Sequence, residues 1–570
     1  MPFGLLSDHT SESNMPELKS IAYPLSGERE RLLENPAFQL LVLLSLCIFS
    51  FWLTAGAGSP GLMEARNFIT AREMAQEGEW LLPTMNGYLR LAKPPLPTWL
   101  SALSGLAFGG VENLTALRLP AALMATLLVL FQFLLARQLT KDKQLPFWSA
   151  AILISCIGFF DYGRQATWDI FCHSFMLGGI WLLHRAFSGA QVKYSLYLWG
   201  GVMLGLSFMS KGPVSFYAML LPYLLAYSYG YGWRSISGKG LLLTLIACAA
   251  VCLPWPLYVF FSVPNAFQAV ISTESSSWLN RHPQPFWFYW GFLGQAGVWL
   301  LFAALALAGS YAARRINKYG NAKFLMAWVW ACLLLLSLVT EKKDRYLLPL
   351  VPPLALLTSF YVRYLLDALR DEKYNVWEWR VVQVNAVLWA AIAFALPFAL
   401  LWFHVEKTEV GAFTLAAAFL VFAGLGILML RYWAKRQLPA LFLAVVVLHA
   451  VAVVFLMPLK DIAQRRNTRY QPLASVRQLQ AVQQLPLYAV DGMSPIYVWE
   501  VGRPVDTLRV KQGRLQLPER LPAAVFSRQP LEADQVAQDS LRLQQLRSYH
   551  FHPGREKDVY YLHVISKQQK

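Results

Sequence analysis

Charged residues are scarce in this 570-residue chain: they make up 15% of it, against roughly 25% in ordinary soluble domains. Cysteine is sparse as well, and all six cysteines lie in apolar segments. Their spacing matches neither a disulfide framework nor a metal-ligand pattern, so we expect buried structural thiols and no metal site. The residues leave open whether a divalent metal is needed as a cofactor.

The motifs of several soluble enzyme classes are missing too. The chain contains no Walker loop, HExxH or GxSxG, and no Asp-x-Asp stands on a loop. These absences argue against a P-loop NTPase, a zincin and a serine hydrolase. The net charge of +17 would suit a nucleic-acid binder, but much of the basic excess lies in short loops between apolar runs, as in membrane proteins. We therefore expect no nucleic-acid partner.

Long apolar runs dominate what is present. Apolar residues make up 56% of the chain, and runs such as 39–56 and 440–459 approach the ~20 residues that span a bilayer. The sequence therefore predicts an all-α polytopic membrane domain over 38–458, surrounded by membrane lipids. About thirteen spans are expected: 38–56, 119–137, 146–162, 168–184, 195–210, 213–229, 240–262, 288–308, 323–340, 346–366, 381–403, 411–430 and 438–458.

Loop charges predict the orientation. Suppose that residues 96–109 form a short interfacial or re-entrant helix instead of a span. The loops on the side of segment 1–37 then carry 18 basic residues, and the short loops on the other side carry 7. Basic loops face the cytoplasm. We therefore expect a protein of the cell's inner (plasma) membrane whose segment 1–37 lies in the cytoplasm. The loop 58–118, the turn 164–169, the loop 341–346 and the tail 459–570 are then expected on the periplasmic side.

The tail 459–570 differs from the rest of the chain. It is polar and rich in Gln, and its short apolar runs LPLYAV, AAVFS and YYLHVIS are typical of strands. The stretches LASVRQLQAVQQL and LEADQVAQDSLRLQQL between them favour helices. We predict a small C-terminal α/β domain.

Two carboxylates are candidates for catalysis because of their positions in the chain. Glu64 follows the first span, with Arg66 two residues on, and Asp169 opens an apolar helix. A carboxylate at a membrane face can act as a general base. The alternatives are that Glu64 and Arg66 anchor a surface helix, and that Asp169 satisfies free N–H groups at a helix start.

Cations gather in the loops assigned to the periplasmic side, where the topology rule depletes them. They precede proline or aromatic residues in KPP, KGP, RHP and RYLLP: Lys93, Lys211, Arg281 with His282, and Arg345 with Tyr346. Converging cations at an interface suit a phosphate group. Taken singly, each is equally a snorkelling anchor.

These runs resemble a known family. MEARNFITAREMAQEGEWLLPTMNGYLRLAKPPLPTWLSALSGLAFG (63–109), RLPAAL (118–123), KGPVSFY (211–217), RHPQPFWFYW (281–290) and EKKDRYLLPLVPPLALL (341–357) are similar, in the same order, to motifs of the GT-C membrane glycosyltransferases. The nearest resemblance is to the bacterial aminoarabinose lipid A transferases and the protein O-mannosyltransferases. It covers most of residues 38–360, with 58–118 as the catalytic loop.

The resemblance implies transfer of a sugar, with inversion, from a polyprenyl phosphate to an acceptor. It implies Glu64 and Asp169 as catalytic carboxylates. We expect Lys93, Arg345 and Tyr346 to bind the donor phosphate, with a weaker contribution from Arg281; Lys93 and Arg345 match positions where the family gathers positive charge. Arg66, Lys211 and His282 are candidates for further substrate contacts, and Lys211 could equally be structural. The chain departs from the family at Met63 and Ala92, where acidic residues are usual, so the aminoarabinose reaction itself does not follow.

The sequence thus predicts an integral-membrane glycosyltransferase. The alternative is a lipid-linked saccharide transporter or another non-enzymatic membrane factor. The sequence shows neither clear inverted repeats nor clear helix breaks at mid-membrane, and the candidate charges cluster at one face. Lipid A, a glycan and a protein all stay open as the acceptor, and the sugar is not identified.

Overall fold

The protein was analysed as a computed structural model. The structure describes residues 32–233, 236–280, 283–402, 412–458, 471–511, 514–518, 520–536, 541–551 and 558–567. Most of the predicted cytoplasmic segment 1–37 lies outside these ranges.

The membrane domain is built from helices, several of them broken by proline or by short π- and 3₁₀-helical turns. In chain order the α-helices are α1 Pro36–Cys47, α2 Leu62–Glu77, α3 Leu96–Ala107, α4 Leu114–Leu139, α5 Leu145–Ser155, α6 Ile157–Gly163, α7 Trp168–Phe187, α8 Tyr194–Lys211, α9 Leu221–Tyr231, α10 Gly238–Cys252, α11 Pro254–Ser262, α12 Pro264–Asn280, α13 Leu300–Ala306, α14 Gly309–Ile316, α15 Ala322–Leu338, α16 Val351–Arg370, α17 Val376–Trp402, α18 Ala412–Ala434 and α19 Leu438–Leu456. The turns are Ile48–Trp52 and Phe216–Leu220 (π) and Phe286–Trp299 and Asp344–Leu350 (3₁₀).

The polytopic membrane class is confirmed, but the count of thirteen spans is not. Among the described residues, seven helices are long and apolar enough to cross a bilayer, or nine if two bent pairs each count as one span. The bent pairs are α5 with α6, at 66°, and α10 with α11, at 43°. Helices α1 (with its π turn) and α15 are apolar but shorter.

The short helix α3 fits the prediction for residues 96–109. It has 12 residues, which at 1.5 Å per residue give ~18 Å, well below the ~30 Å of a bilayer core. Proline at its start and the glycines Gly109 and Gly110, both with positive φ, limit its length. It packs between α2 and α4, so the loop 58–118 forms a folded layer at one end of the bundle.

The C-terminal domain contains a five-stranded sheet in the order β4-β3-β7-β9-β8. Strands β3 and β4, and β3 and β7, run parallel; β7 and β8 each run antiparallel to β9. The strands of the chain are β1 Thr84–Met85, β2 Tyr88–Leu89, β3 Leu487–Val490, β4 Asp506–Leu508, β5 Val510–Lys511, β6 Arg514–Leu515, β7 Ala523–Ser527, β8 Leu541–His550 and β9 Val559–Lys567. A short helix, α20 Pro495–Val501, follows β3.

The sequence predicted three of these strands correctly, but the two helices predicted in the same domain were wrong. LASVRQLQAVQQL forms two 3₁₀ turns, Leu473–Gln478 and Gln480–Val482. Within LEADQVAQDSLRLQQL, only a 3₁₀ turn at Ala533–Val536 is helical among the described residues, and residues from Leu541 onward form β8. In β8 the spacing of Leu and Gln fits a helix as well as a strand. The segment forms a strand because it pairs with β9 from Leu541 to His550.

The C-terminal domain packs directly on the loop 58–118. The Trp499 ring of α20 lies 5.5 Å from the Phe68 ring of α2, and the Arg72 guanidinium stacks 5.4 Å from the same indole. Asn86, at the tip of the β1–β2 hairpin, exchanges two hydrogen bonds of 2.7 Å with the backbone of Val505. The tail therefore buttresses the loop that carries the candidate site.

Candidate active site

Glu64 ties the loop 58–118 to the turn that precedes Asp169. It is the third residue of α2 and accepts a hydrogen bond from the Gly61 amide at 3.3 Å, as in a capping box. Both of its carboxylate oxygens accept from Arg118, at 2.8 and 3.0 Å, and Oε1 also accepts from the Ala166 amide at 3.0 Å. With its side chain only 4% exposed, this carboxylate is committed to an ion pair.

Two further residues fix the same turn. The Asn67 side chain donates to the Ala166 carbonyl at 3.0 Å. Arg164 donates to the Ser50 carbonyl and to the Thr54 hydroxyl, both at 2.7 Å, and so ties the turn to the end of the first helical segment. Burial, reinforced by the charge of Arg118, lowers the pKa of Arg164 to about 10. The turn is therefore held from both sides, and the start of α7 has a fixed position.

Asp169 lies at that helix start and pairs with Lys211, the last residue of α8. Both side chains are buried, at 4% and 8% exposure. The Lys211 ammonium lies 5.1 Å from the centre of the Tyr346 ring, and the His173 and Arg345 charges also act on the Asp169 carboxylate. Residues from three distant loops thus meet at one point.

Three cations surround the Tyr346 ring, at 5.1 Å for Lys211, 5.7 Å for Lys343 and 5.4 Å for Arg345. Lys211 pairs with Asp169, and Lys343 pairs with Glu341 at 2.5 Å. Arg345 forms no salt bridge with a described residue, and its buried Nε has no hydrogen-bond partner among the residues that the structure describes. A buried donor left unpaired costs about 1–3 kcal/mol, so an anion placed here would be stabilised.

Glu73 holds the β1–β2 hairpin, which precedes Lys93. Its buried carboxylate accepts from the Thr84 hydroxyl and the Asn86 amide, both at 2.7 Å, and from the Gly87 amide at 3.2 Å. Asn86 and Gly87 have φ of 60° and 78°, the left-handed geometry that an Asn-Gly hairpin turn requires. The hairpin and the two prolines after Lys93 restrict where that lysine can lie.

Lys93 pairs with a carboxylate from a distant helix: its Nζ lies 2.8 Å from Oε2 of Glu274, on α12. Three residues before it, Arg90 stacks 5.1 Å from the Trp168 ring, next to Asp169. Burial, reinforced by the charge of Arg66, lowers the pKa of Arg90 to about 10. The lysine loop therefore borders the Asp169–Lys211 pair.

The structure brings most of the predicted site residues together. Glu64, Asp169, Lys211, Arg345 and Tyr346 belong to one connected set of contacts, and the Lys93 loop lies beside it. Arg66 is on the same helix face as Met63, whose sulfur lies 3.8 Å from its guanidinium.

Two predicted contacts, Arg281 and His282, lie outside the described residues. Elsewhere in the described part of the chain, no three His, Cys, Asp or Glu side chains group as metal ligands. The need for a metal stays open.

The sequence analysis missed two residues and one hairpin of this region. Arg118 sits at the start of an apolar helix, where nothing marks it as the partner of Glu64. Glu274 lies 181 positions from Lys93, in a segment without a motif. The hairpin had a signal that went unused, the Asn-Gly pair in TMNGYLRL.

The geometry disfavours one predicted role. A general base must be free to accept a proton from the acceptor, but both oxygens of Glu64 are occupied by Arg118 and Ala166 in a buried ion pair. Its contacts favour a positioning role, in which Glu64 fixes the turn before Asp169. The requirement for Glu64 in transfer stays a prediction.

Comparisons with known proteins agree on a family. The family model described as dolichyl-phosphate-mannose-protein mannosyltransferase matches residues 92–258. The undecaprenyl phosphate-alpha-4-amino-4-deoxy-L-arabinose arabinosyl transferase of Pseudomonas savastanoi pv. phaseolicola is 30% identical over 395 residues, which are 67% of this chain and 69% of the relative. The corresponding transferase 2 of Pseudomonas fluorescens is 28% identical over 417 residues, 71% of this chain and 66% of the relative. These alignments span about two thirds of the relatives' length.

The fold is similar to that of a solved structure, ArnT from Cupriavidus metallidurans bound to undecaprenyl phosphate. The TM-score is 0.66 at 15% sequence identity, covering 94% of this chain and 100% of the other. The relatives are transferases, so the alternative of a transporter gains no support from them. The chain belongs to the GT-C family of integral-membrane glycosyltransferases, which use polyprenyl-phosphate sugars and include the aminoarabinose transferases.

Proposed function

We propose that the protein transfers a sugar from a polyprenyl phosphate to an acceptor of the cell envelope, with inversion at the anomeric carbon. The observation that carries this proposal is the gathering of cations around Tyr346. The Nε of Arg345, which has no hydrogen-bond partner among the described residues, lies beside the Asp169–Lys211 pair. Such a group of cations stabilises the charge that develops on a phosphate as the sugar leaves.

In this proposal Lys93, Arg345 and Tyr346 bind the donor phosphate, and Arg281 adds to them from outside the described residues. Lys211 pairs with Asp169, and its ammonium group lies over the Tyr346 ring, where its positive charge adds to that of the neighbouring cations. Arg66 and His282 are further substrate contacts. Asp169 and Glu64 are the two carboxylates on which the site depends: Asp169 orients Lys211, and Glu64 fixes the turn that carries Asp169.

The acceptor can be identified by mass spectrometry of envelope glycolipids, polysaccharides and glycoproteins with and without the gene. We expect one class of molecule to lose a single sugar when the gene is absent, and to regain it when the gene is restored. Restoring the Arg345→Ala variant should fail to return that sugar. An unchanged set of envelope glycans would contradict the proposal.

The protein is a multi-pass protein of the inner membrane. We propose that segment 1–37 is cytoplasmic and that the domain 459–570, like the loop 58–118, is periplasmic. The contacts between α2 and α20 support placing the last two on the same side, and the bias of basic loops supports the direction.

A fusion of a reporter that works only in the cytoplasm tests this orientation. Joined after residue 570, the reporter should be silent, because the C-terminal domain is exported. The matched control is the same reporter joined after Arg436, in a predicted cytoplasmic loop, which should be active. An active reporter after residue 570 would refute the orientation.

A further inference from the structure

The carboxylates that sequence analysis selected are poorly placed to take a proton. The side chains of Glu64 and Asp169 are each 4% exposed, and each is bound to a buried cation, Arg118 and Lys211 respectively. Neutralising one partner of a buried ion pair is strongly destabilising, because the other charge is left buried and unpaired. A base that is protonated in every catalytic cycle would carry that cost each time. The catalytic base is therefore better sought among carboxylates that are not held in a buried ion pair.

Glu274 is such a carboxylate. Its side chain is 36% exposed, and within the described part of the chain it forms one salt bridge, to Lys93, which is itself 22% exposed. A partly exposed ion pair of this kind contributes less to stability than a buried one, because solvent screens the attraction. Solvent and an acceptor can therefore reach the Glu274 carboxylate at little cost in stability.

The position of Glu274 is set by the packing of α12 on the lysine loop. Val270 and Phe267, one and two turns before it on the same helix face, pack against the apolar cluster that contains Leu91. Its charge also acts on Arg90, which stacks on Trp168 beside Asp169. Glu274 thus stands at the edge of the proposed donor phosphate site.

We propose that Glu274 is the catalytic base of the transfer and that the acceptor reacts through a hydroxyl group. The inference rests on the proposed function. The donor phosphate and Glu274 compete for Lys93, so donor binding frees the carboxylate next to the reacting sugar. A phosphate acceptor would carry no proton to remove and would leave Glu274 without this role.

The Glu274 carboxylate takes the proton of the acceptor hydroxyl while the hydroxyl oxygen forms a bond to the anomeric carbon. The bond between that carbon and the donor phosphate oxygen breaks, and its electron pair leaves with the polyprenyl phosphate. Lys93 and Arg345 stabilise the phosphate charge, and water takes the proton from Glu274 before the next cycle.

The test compares Glu274→Gln and Glu274→Ala with the wild type, all purified in detergent. We expect Glu274→Gln to slow transfer to envelope acceptors by about 10²–10⁴-fold, the usual contribution of a general base. We expect undecaprenyl phosphate to raise the thermal stability of the variant and of the wild type alike. The matched control is Glu77→Gln, which changes an exposed carboxylate at the end of α2 and should transfer normally.

Sodium azide gives a readout that a structural role would not produce. Azide needs no base, so the Glu274→Ala variant with azide should consume labelled donor and form a glycosyl azide of inverted configuration. Near-normal transfer by Glu274→Gln would overturn the inference, as would a Glu274→Ala variant that azide does not rescue. If the wild type itself transfers no sugar, the proposed function fails, and this inference falls with it.

Discussion

Replacing Glu64 by glutamine is expected to abolish sugar transfer and to lower the thermal stability of the protein. The amide keeps the shape of the side chain but leaves the Arg118 charge buried without its counter-charge, which costs about 3–5 kcal/mol. The turn before Asp169 also loses the carboxylate that accepts from the Ala166 amide. Transfer assays and thermal unfolding in detergent measure the two effects.

A double variant separates positioning from proton transfer. If Glu64 acts through its ion pair, replacing both Glu64 and Arg118 by methionine removes the unpaired charge, and part of the stability and activity should return relative to the single variants. If Glu64 were the base, as the sequence first indicated, the double variant would regain stability but stay inactive. Normal turnover by Glu64→Gln would remove the residue from the mechanism.

Replacing Lys93 or Arg345 by alanine is expected to weaken use of the lipid donor far more than folding. A phosphate oxygen that loses a hydrogen bond to a charged group loses about 1.5–3 kcal/mol, which corresponds to roughly ten- to hundredfold. The phosphate is charged in the ground state and gains charge as the sugar leaves. We therefore expect KM to rise and kcat to fall together.

Conservative and distant changes make this prediction specific. Arg345→Lys should recover only part of the activity, because an ammonium cannot bind two phosphate oxygens as a guanidinium does. Lys318→Ala, which removes an exposed lysine paired with Asp367 elsewhere in the bundle, should behave as the wild type. If both alanine variants bind and turn over donor normally, the phosphate site lies elsewhere, and Lys93 and Arg345 are structural anchors.

Charge and topology were sufficient to predict which distant segments meet. Apolar runs identified the membrane domain, and loop charges predicted that the segments carrying Glu64, Asp169, Arg345 and the tail share one side; the structure joins these segments. Lys211 stood out because a cation between two spans on the depleted side is unusual, and the structure places it beside Asp169 and Tyr346.

Other features depended on packing that a sequence pattern does not contain. Arg118 meets Glu64 only because α2 lies across the start of α4, and Glu274 meets Lys93 only because α12 packs on the lysine loop. In the tail, the residues of β8 carry no clear period, and their state is decided by pairing with β9. The number of spans is also hard to predict, because π turns and prolines break helices that read as continuous apolar runs.

The central claim is that this protein breaks the bond between a lipid phosphate and a sugar and moves the sugar to an envelope acceptor. The most direct test supplies the purified protein, in detergent and without any gradient, with undecaprenyl phosphate bearing a radiolabelled sugar together with lipid A, polysaccharide or protein fractions. We predict that label appears in one of these acceptors and that free undecaprenyl phosphate accumulates in equal amount. Label that stays on intact undecaprenyl phosphate with every fraction and sugar tested would contradict the account.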